Sequence, residues 1–111
     1  MANHDTQLTQ IFAALGDPTR RAILQQLGAG PASLGDLARP TGFSLPTVLR
    51  HVEILQAAGL IKTKKQARRR ICTARPEALA TARSWLAATQ LAMESQTDRL
   101  AAYIETHRKD I

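Results

Sequence analysis

The chain carries one cysteine, Cys72, in 111 residues. It can form no internal disulfide, and it cannot by itself supply a thiolate-rich zinc site. Aromatic residues are scarce, with two Phe, one Trp and one Tyr, so the core must be aliphatic. No apolar run approaches the roughly 20 residues of a membrane-spanning helix. The N-terminal stretch contains Asp5 and lacks a basic segment followed by an apolar one, so it does not read as a signal peptide. A cytoplasmic location without membrane contact is expected. Enzyme chemistry is also missing: there are no paired carboxylates in a plausible pocket, no nucleophile with an identifiable base and no phosphate-cradling glycine loop. No cofactor and no metal are expected.

What is present is a single domain's worth of chain, 44% hydrophobic and 22% charged, the balance of a soluble globular protein. Fifteen Lys plus Arg face nine Asp plus Glu, for a formal charge of +6, which favours a polyanionic partner. The excess is local. Between Leu60 and Pro76 stand Lys62, Lys64, Lys65, Arg68, Arg69, Arg70 and Arg75 with no acid among them, whereas the remaining eight cations face all nine acids. A merely solvated face interleaves both signs.

Apolar spacing and punctuation order the chain. Leu8, Ile11, Phe12 and Leu15 recur at three and four, predicting an amphipathic helix over residues 6–15. Asp17 followed by Pro18 is an N-cap with proline in the first turn. It opens a second helix with Ile23, Leu24 and Leu27 inward. Ser33 caps a short third helix to Arg39, with Asp36 at the capping-box position. Pro40, Thr41 and Gly42 then separate it from a helix that starts at Ser44 and is closed by Gly59. On that helix Leu45, Val48, Val52 and Leu55 share one face, and Thr47, Arg50 and Ile54 share the opposite one. Two short strands, residues 60–65 and 70–74, flank a tip at residues 66–69. From Pro76 to about residue 107 runs a helix about 45 Å long at 1.5 Å per residue. On it Leu79, Leu86, Met93 and Leu100 lie seven apart, so it needs a partner along its length.

This order predicts a mainly α fold with a small β-hairpin: one winged helix-turn-helix domain, its helix-turn-helix at residues 33–58 and its wing at 60–75, dimerising through its first and last helices. The helix from Ser44 then enters a DNA major groove, presenting Ser44, Pro46, Thr47, Arg50 and His51. Lys64, Lys65, Arg68, Arg69 and Arg70 take the backbone or adjacent minor groove. His51 sits at the border of the core face and suits a structural role equally well. Cys72 reads as a passive strand residue rather than a redox sensor, there being no second cysteine to resolve it. Arg20 and Arg21 leave open which pairs with an acid and which reaches phosphate.

Three segments carry a family resemblance across about 75 residues: Leu15-Gly-Asp-Pro-Thr-Arg-Arg-Ala-Ile-Leu24, Leu34-Gly-Asp-Leu-Ala38, and Phe43-Ser-Leu-Pro-Thr-Val-Leu-Arg-His-Val52 with Leu55 and Ala58-Gly-Leu-Ile61. Together they resemble the ArsR family of bacterial transcriptional repressors, in the subgroup without a metal-sensing thiolate site. Many members carry a Cys-x-Cys-Asp-Leu sensor, and here Ser33 and Gly35 precede Asp36-Leu37. The start of the last helix, residues 76–79, offers no histidine ligand either, while Glu94, Gln96, His107 and Asp110 mimic a metal spacing with a glutamine in it, a poor ligand. The resemblance implies a homodimer on double-stranded DNA with an inverted-repeat operator, usually repressing, and leaves room for an unidentified small-molecule effector. Leu8, Ile11, Phe12, Leu79, Trp85, Leu86, Met93, Leu100 and Tyr103 are the expected dimer contacts. The alternative is a winged module for RNA or protein.

Overall fold

In the computed structural model, which describes residues 2–108, local capping chemistry sets most helix boundaries. Helix α1 (Ala2–Leu15) ends before Gly16, and Asp17 caps α2 (Pro18–Leu27) by accepting the Arg20 amide at 3.1 Å. The Ser33 hydroxyl accepts the Asp36 amide at 3.1 Å and opens α3 (Leu34–Ala38). This helix is shorter than the spacing predicts, because Pro40 has no amide to continue the ladder and the chain tightens into a 3-10 turn at Arg39–Thr41. Gly42 adopts φ +71°, a left-handed conformation. Thr41 Oγ1 donates to the Ala38 carbonyl at 2.7 Å and accepts the Phe43 amide at 2.9 Å, bracing the turn.

Helix α4 (Leu45–Ala57) closes in a Schellman motif: the Gly59 amide donates to the Gln56 carbonyl at 2.9 Å and the Leu60 amide to the Leu55 carbonyl at 3.0 Å. Gly59 supplies the left-handed residue that this motif needs, at φ +79°. The hairpin follows as β2 (Ile61–Gln66) and β3 (Arg69–Ala74), antiparallel, with Gln66 opposite Arg69 so that only Ala67 and Arg68 form the tip. A strand absent from the sequence expectation, two residues long at Ala32–Ser33, pairs antiparallel with β3 at Cys72 and Ile71. We number it β1, and the sheet order is β1-β3-β2.

The core lies where the helices meet this sheet. Ile11 and Ala14, Ile23 and Leu27, Leu37, Val48, Val52 and Leu55, Leu60 and Ile61, Cys72, and Ala78 and Ala82 are all buried. It is aliphatic apart from the thiol; Phe12 packs at its margin, edge-on to Trp85 with ring centroids 5.7 Å apart. Two expectations need correction. Ile11, assigned to a dimer surface, is 0% exposed within its own subunit, because α1 turns that residue onto α4 and α5. Leu45, assigned to the core face of α4, is 52% exposed, because the first turn of that helix lies out by the groove between α3 and the wing.

Helix α5 (Pro76–His107) spans 32 residues, about 48 Å. Only Ala78 and Ala82 are buried, small residues that let it approach α1 closely, and every residue from 90 to 108 is exposed. The Cα radius of gyration is 20.4 Å, against about 13 Å for a compact domain of this length. Among the described residues, no helix is long and apolar enough to cross a membrane.

Candidate nucleic-acid interface

Ser44 builds the start of α4: its Oγ accepts the Thr47 amide at 3.4 Å and lies 3.0 Å from Thr47 Oγ1. Pro46, Thr47 and Arg50 follow on the open side of the helix, all exposed. Arg50 has no hydrogen-bond or ion-pair partner among the described residues. Opposite them Val48, Val52 and Leu55 anchor the helix in the core. The helix therefore presents a polar face on a fixed mount.

His51 points elsewhere. Its side chain is 18% exposed, with Nδ1 3.3 Å from an Arg20 guanidinium nitrogen and 3.9 Å from Asp17 Oδ2, and its ring stacks on Phe43. Placed this way it joins α4 to α2, in keeping with the structural alternative weighed for it. Arg20 is the hub of that junction. Its Nε donates to the Ala14 carbonyl at 2.7 Å and a terminal nitrogen donates to the Ala13 carbonyl at 3.1 Å. Arg21 donates to the Leu15 carbonyl at 2.7 Å. Both arginines thus serve the carbonyls left open at the end of α1, a role that sequence spacing did not reveal. The Arg20 amide, and then the Arg20 and His51 charges, hold the Asp17 carboxyl below its usual range despite some desolvation.

The wing carries Lys62, Lys64, Lys65, Arg68, Arg69 and Arg70, all exposed. It is tied to α4 through a short relay in which Arg70 Nε donates to Thr63 Oγ1 at 3.4 Å and Thr63 Oγ1 donates to Gln56 Oε1 at 3.3 Å. Neither Thr63 nor Gln56 was singled out from the sequence. A second tie joins Arg69 to Asp36 of α3 at 3.5 Å. Between α3, the first turn of α4 and the wing lies a groove of about 400 Å³ bordered by Asp36, Arg39, Leu45, Arg68, Arg69 and Arg70.

Cys72 is fully buried on β3, and burial pushes its thiol above the usual range against the opposing charge of Arg70. Among the described residues no group of three His, Cys, Asp or Glu side chains converges as a metal site. Ser33, at a sensor-cysteine position, is occupied with capping α3. Glu94 and His107 stand 13 residues apart on one helix, about 20 Å, and His107 stacks on Tyr103; Asp110 lies outside the described residues.

Leu8 is half-buried on α1 beside Phe12. Leu79, Trp85, Leu86, Met93, Leu100 and Tyr103 are exposed along α5, from 44% at Leu79 to 64% at Met93, and Leu91 and Ile104 extend the apolar surface.

Comparison with known proteins agrees with this geometry. A helix-turn-helix domain family model matches residues 15–64. An HTH-type transcriptional regulator of Mycobacterium tuberculosis is 39% identical over 73 residues, 66% of this chain and 68% of that protein. The transcriptional repressor SdpR of Bacillus subtilis is 36% identical over 59 residues, 53% of this chain and 66% of the repressor. The matched stretch therefore spans about two thirds of each relative's length. Among solved structures, the homodimeric winged helix-turn-helix DNA-binding domain of a possible ArsR-family regulator from Mycobacterium bovis has the same fold, with a TM-score of 0.65 at 24% identity over 86% of each chain. A crystal structure of an ArsR family transcriptional regulator superposes with a TM-score of 0.78 at 43% identity, covering 82% of this chain and 94% of that one. Shared sequence and shared fold together establish that this chain belongs to the ArsR family of transcriptional regulators.

Proposed function

We propose that the chain is a sequence-specific repressor that binds an inverted-repeat operator as a homodimer. The observation that carries the reading is the exposed polar face of α4 beside a six-cation wing, the two tied by Gln56, Thr63 and Arg70. Thr47 and Arg50 read base edges in the major groove, which admits an α-helix, while Ser44 and Pro46 sit at the backbone. Lys64, Lys65, Arg68, Arg69 and Arg70 neutralise phosphates, adding affinity more than specificity. His51 has a structural role only.

The homodimer rests on α5. Its exposed apolar side chains run beyond the body, and a long helix with so little of its surface covered by its own domain acquires its stability from a second helix. Leu79, Trp85, Leu86, Met93, Leu100 and Tyr103 form that contact with Leu8 and Phe12 at its edge. The homodimer described for the Mycobacterium bovis neighbour supports this arrangement, and the repressor among the relatives supports the direction of regulation.

Selection from a random duplex library followed by anisotropy titration tests the reading. An enriched inverted repeat with half-sites about 10 base pairs apart is the expected result, and Arg50→Ala should cost about 1 to 3 kcal/mol on the selected duplex with little change on random sequence. No enrichment, or displacement by RNA but not by duplex DNA, overturns it. Sedimentation of Met93→Glu with Leu100→Glu should show a monomer where the native chain shows a dimer.

A further inference from the structure

Among the described residues Asp36 is the only acid bordering the groove between α3 and the wing, where it faces four arginines. Its two oxygens are divided between them: Oδ1 lies 3.2 Å from Arg39 and Oδ2 lies 3.5 Å from Arg69. The remaining two are free of carboxylate, since Arg70 bonds the neutral Thr63 hydroxyl and Arg68 has no partner among the described residues. One carboxylate thus engages two of the groove's four arginines, one of them, Arg69, on the wing whose proposed task is to bind phosphate. The Ser33 hydroxyl, the Ser33 amide and the two guanidinium charges hold that carboxyl below its usual range against some desolvation, and like any ordinary carboxyl it is ionised at neutral pH.

We propose that Asp36 is a built-in competitor of backbone phosphate: it engages Arg39 and Arg69 in the free protein and gives both guanidiniums up to a DNA phosphate seated in the groove. The exchange is feasible because these pairs are exposed, with 78% of the Arg39 side chain and 64% of the Arg69 side chain accessible, and exposed ion pairs are weak and screened. Arginine meets phosphate through two parallel hydrogen bonds and releases condensed counterions as it does so. After the exchange the carboxylate remains beside the DNA and repels it. Its net effect is to lower the electrostatic background binding that every duplex receives from the wing. This inference rests on the DNA-binding reading above.

The test is Asp36→Asn, which keeps an oxygen to accept the Ser33 amide and so preserves the cap while removing the charge. Anisotropy on a random-sequence duplex, titrated between about 50 and 200 mM salt, reads both affinity and its salt slope. The competitor role predicts tighter binding, by at most about eightfold at 0.1 M for the one charge removed, taking a slope of 0.9 per phosphate and a 1 M reference. It also predicts a slope steeper by up to about 0.9, and an Arg69→Ala substitution that loses more affinity alongside Asp36→Asn than alone. Unchanged affinity and slope overturn the proposal. So does weaker binding with an unchanged melting midpoint, which would make Asp36 a positioning residue for the wing or a base contact. Failure of the native chain to bind any duplex instead rejects the DNA-binding reading itself.

Discussion

Replacing Arg20 with alanine should destabilise the fold by about 2.5 to 3 kcal/mol, several times the effect of replacing its neighbour Arg21. The last carbonyls of a helix have no partner within it, and α1 ends against α2 where water access is restricted. The Ala14 carbonyl, on a residue that is 0% exposed, receives the Arg20 Nε at 2.7 Å. A hydrogen bond to a charged donor at such an acceptor contributes about 1.5 to 2 kcal/mol. The Ala13 carbonyl already accepts the Gly16 amide at 3.2 Å, so the second Arg20 bond adds less, about 0.5 kcal/mol, and the positive charge at the C-terminal end of the helix about as much again. Arg21 makes one exposed bond to Leu15 and should be worth about 0.5 to 1 kcal/mol. Lysine at position 20 can reach one carbonyl but not two with a planar fork, so Arg20→Lys should fall between. Urea unfolding at fixed protein concentration, needed because the proposed dimer's stability depends on it, measures all three. The melting midpoint should fall by about 10 °C for Arg20→Ala. Equal costs at positions 20 and 21 would refute the hub assignment. Unchanged stability with a shallower salt slope on DNA would instead make Arg20 a phosphate ligand.

Other expectations follow from burial and charge. Leu55→Ala should cost about 2 to 5 kcal/mol while Leu45→Ala stays within about 0.5 kcal/mol, since the first side chain is fully buried and the second is half-exposed; similar urea midpoints for the two would contradict the observed orientation of α4. The Asp17 carboxyl titrates below its ordinary value of 3.8 in the folded state, so its contribution is present above that pH and lost as pH falls through the depressed value. Asp17→Asn should therefore flatten the acid limb of a stability profile below about pH 4 while preserving the cap at neutral pH, and an unaltered acid limb would remove Asp17 as its source. Cys72, buried and with its thiol pushed upward, should react with a maleimide only at the rate of unfolding; rapid modification in native buffer would place it on an accessible surface.

Much of the framework was legible because it is local. Asp17 with Pro18, Ser33 with Asp36, Ser44 and Gly59 each act on residues within a few positions, and each delimits the element that its chemistry implies. The cationic hairpin was legible from charge sign alone. What was hidden depends on neighbours distant in the chain. The two-residue β1 exists because β3 offers it a partner, with no periodicity of its own. Leu45 satisfies the wheel of α4, yet nothing covers its turn of the helix. Ile11 fits an apolar stripe that a wheel cannot divide between the subunit's own core and a second chain. The wheel already puts Arg50 outward and His51 at the border of the core face, but that His51 joins Arg20 and Asp17 depends on the packing of α2 against α4.

The connection between β3 and α5 consists of Arg75 alone, and its amide is bonded to the Leu60 carbonyl at 2.8 Å. Hairpin and long rod are therefore joined without slack, and a tilt of one carries the other like the two arms of a crank. In the proposed pair of subunits, the angle at which the two rods cross would then set the span between the two flaps, and with it the operator lengths that both can grip at once.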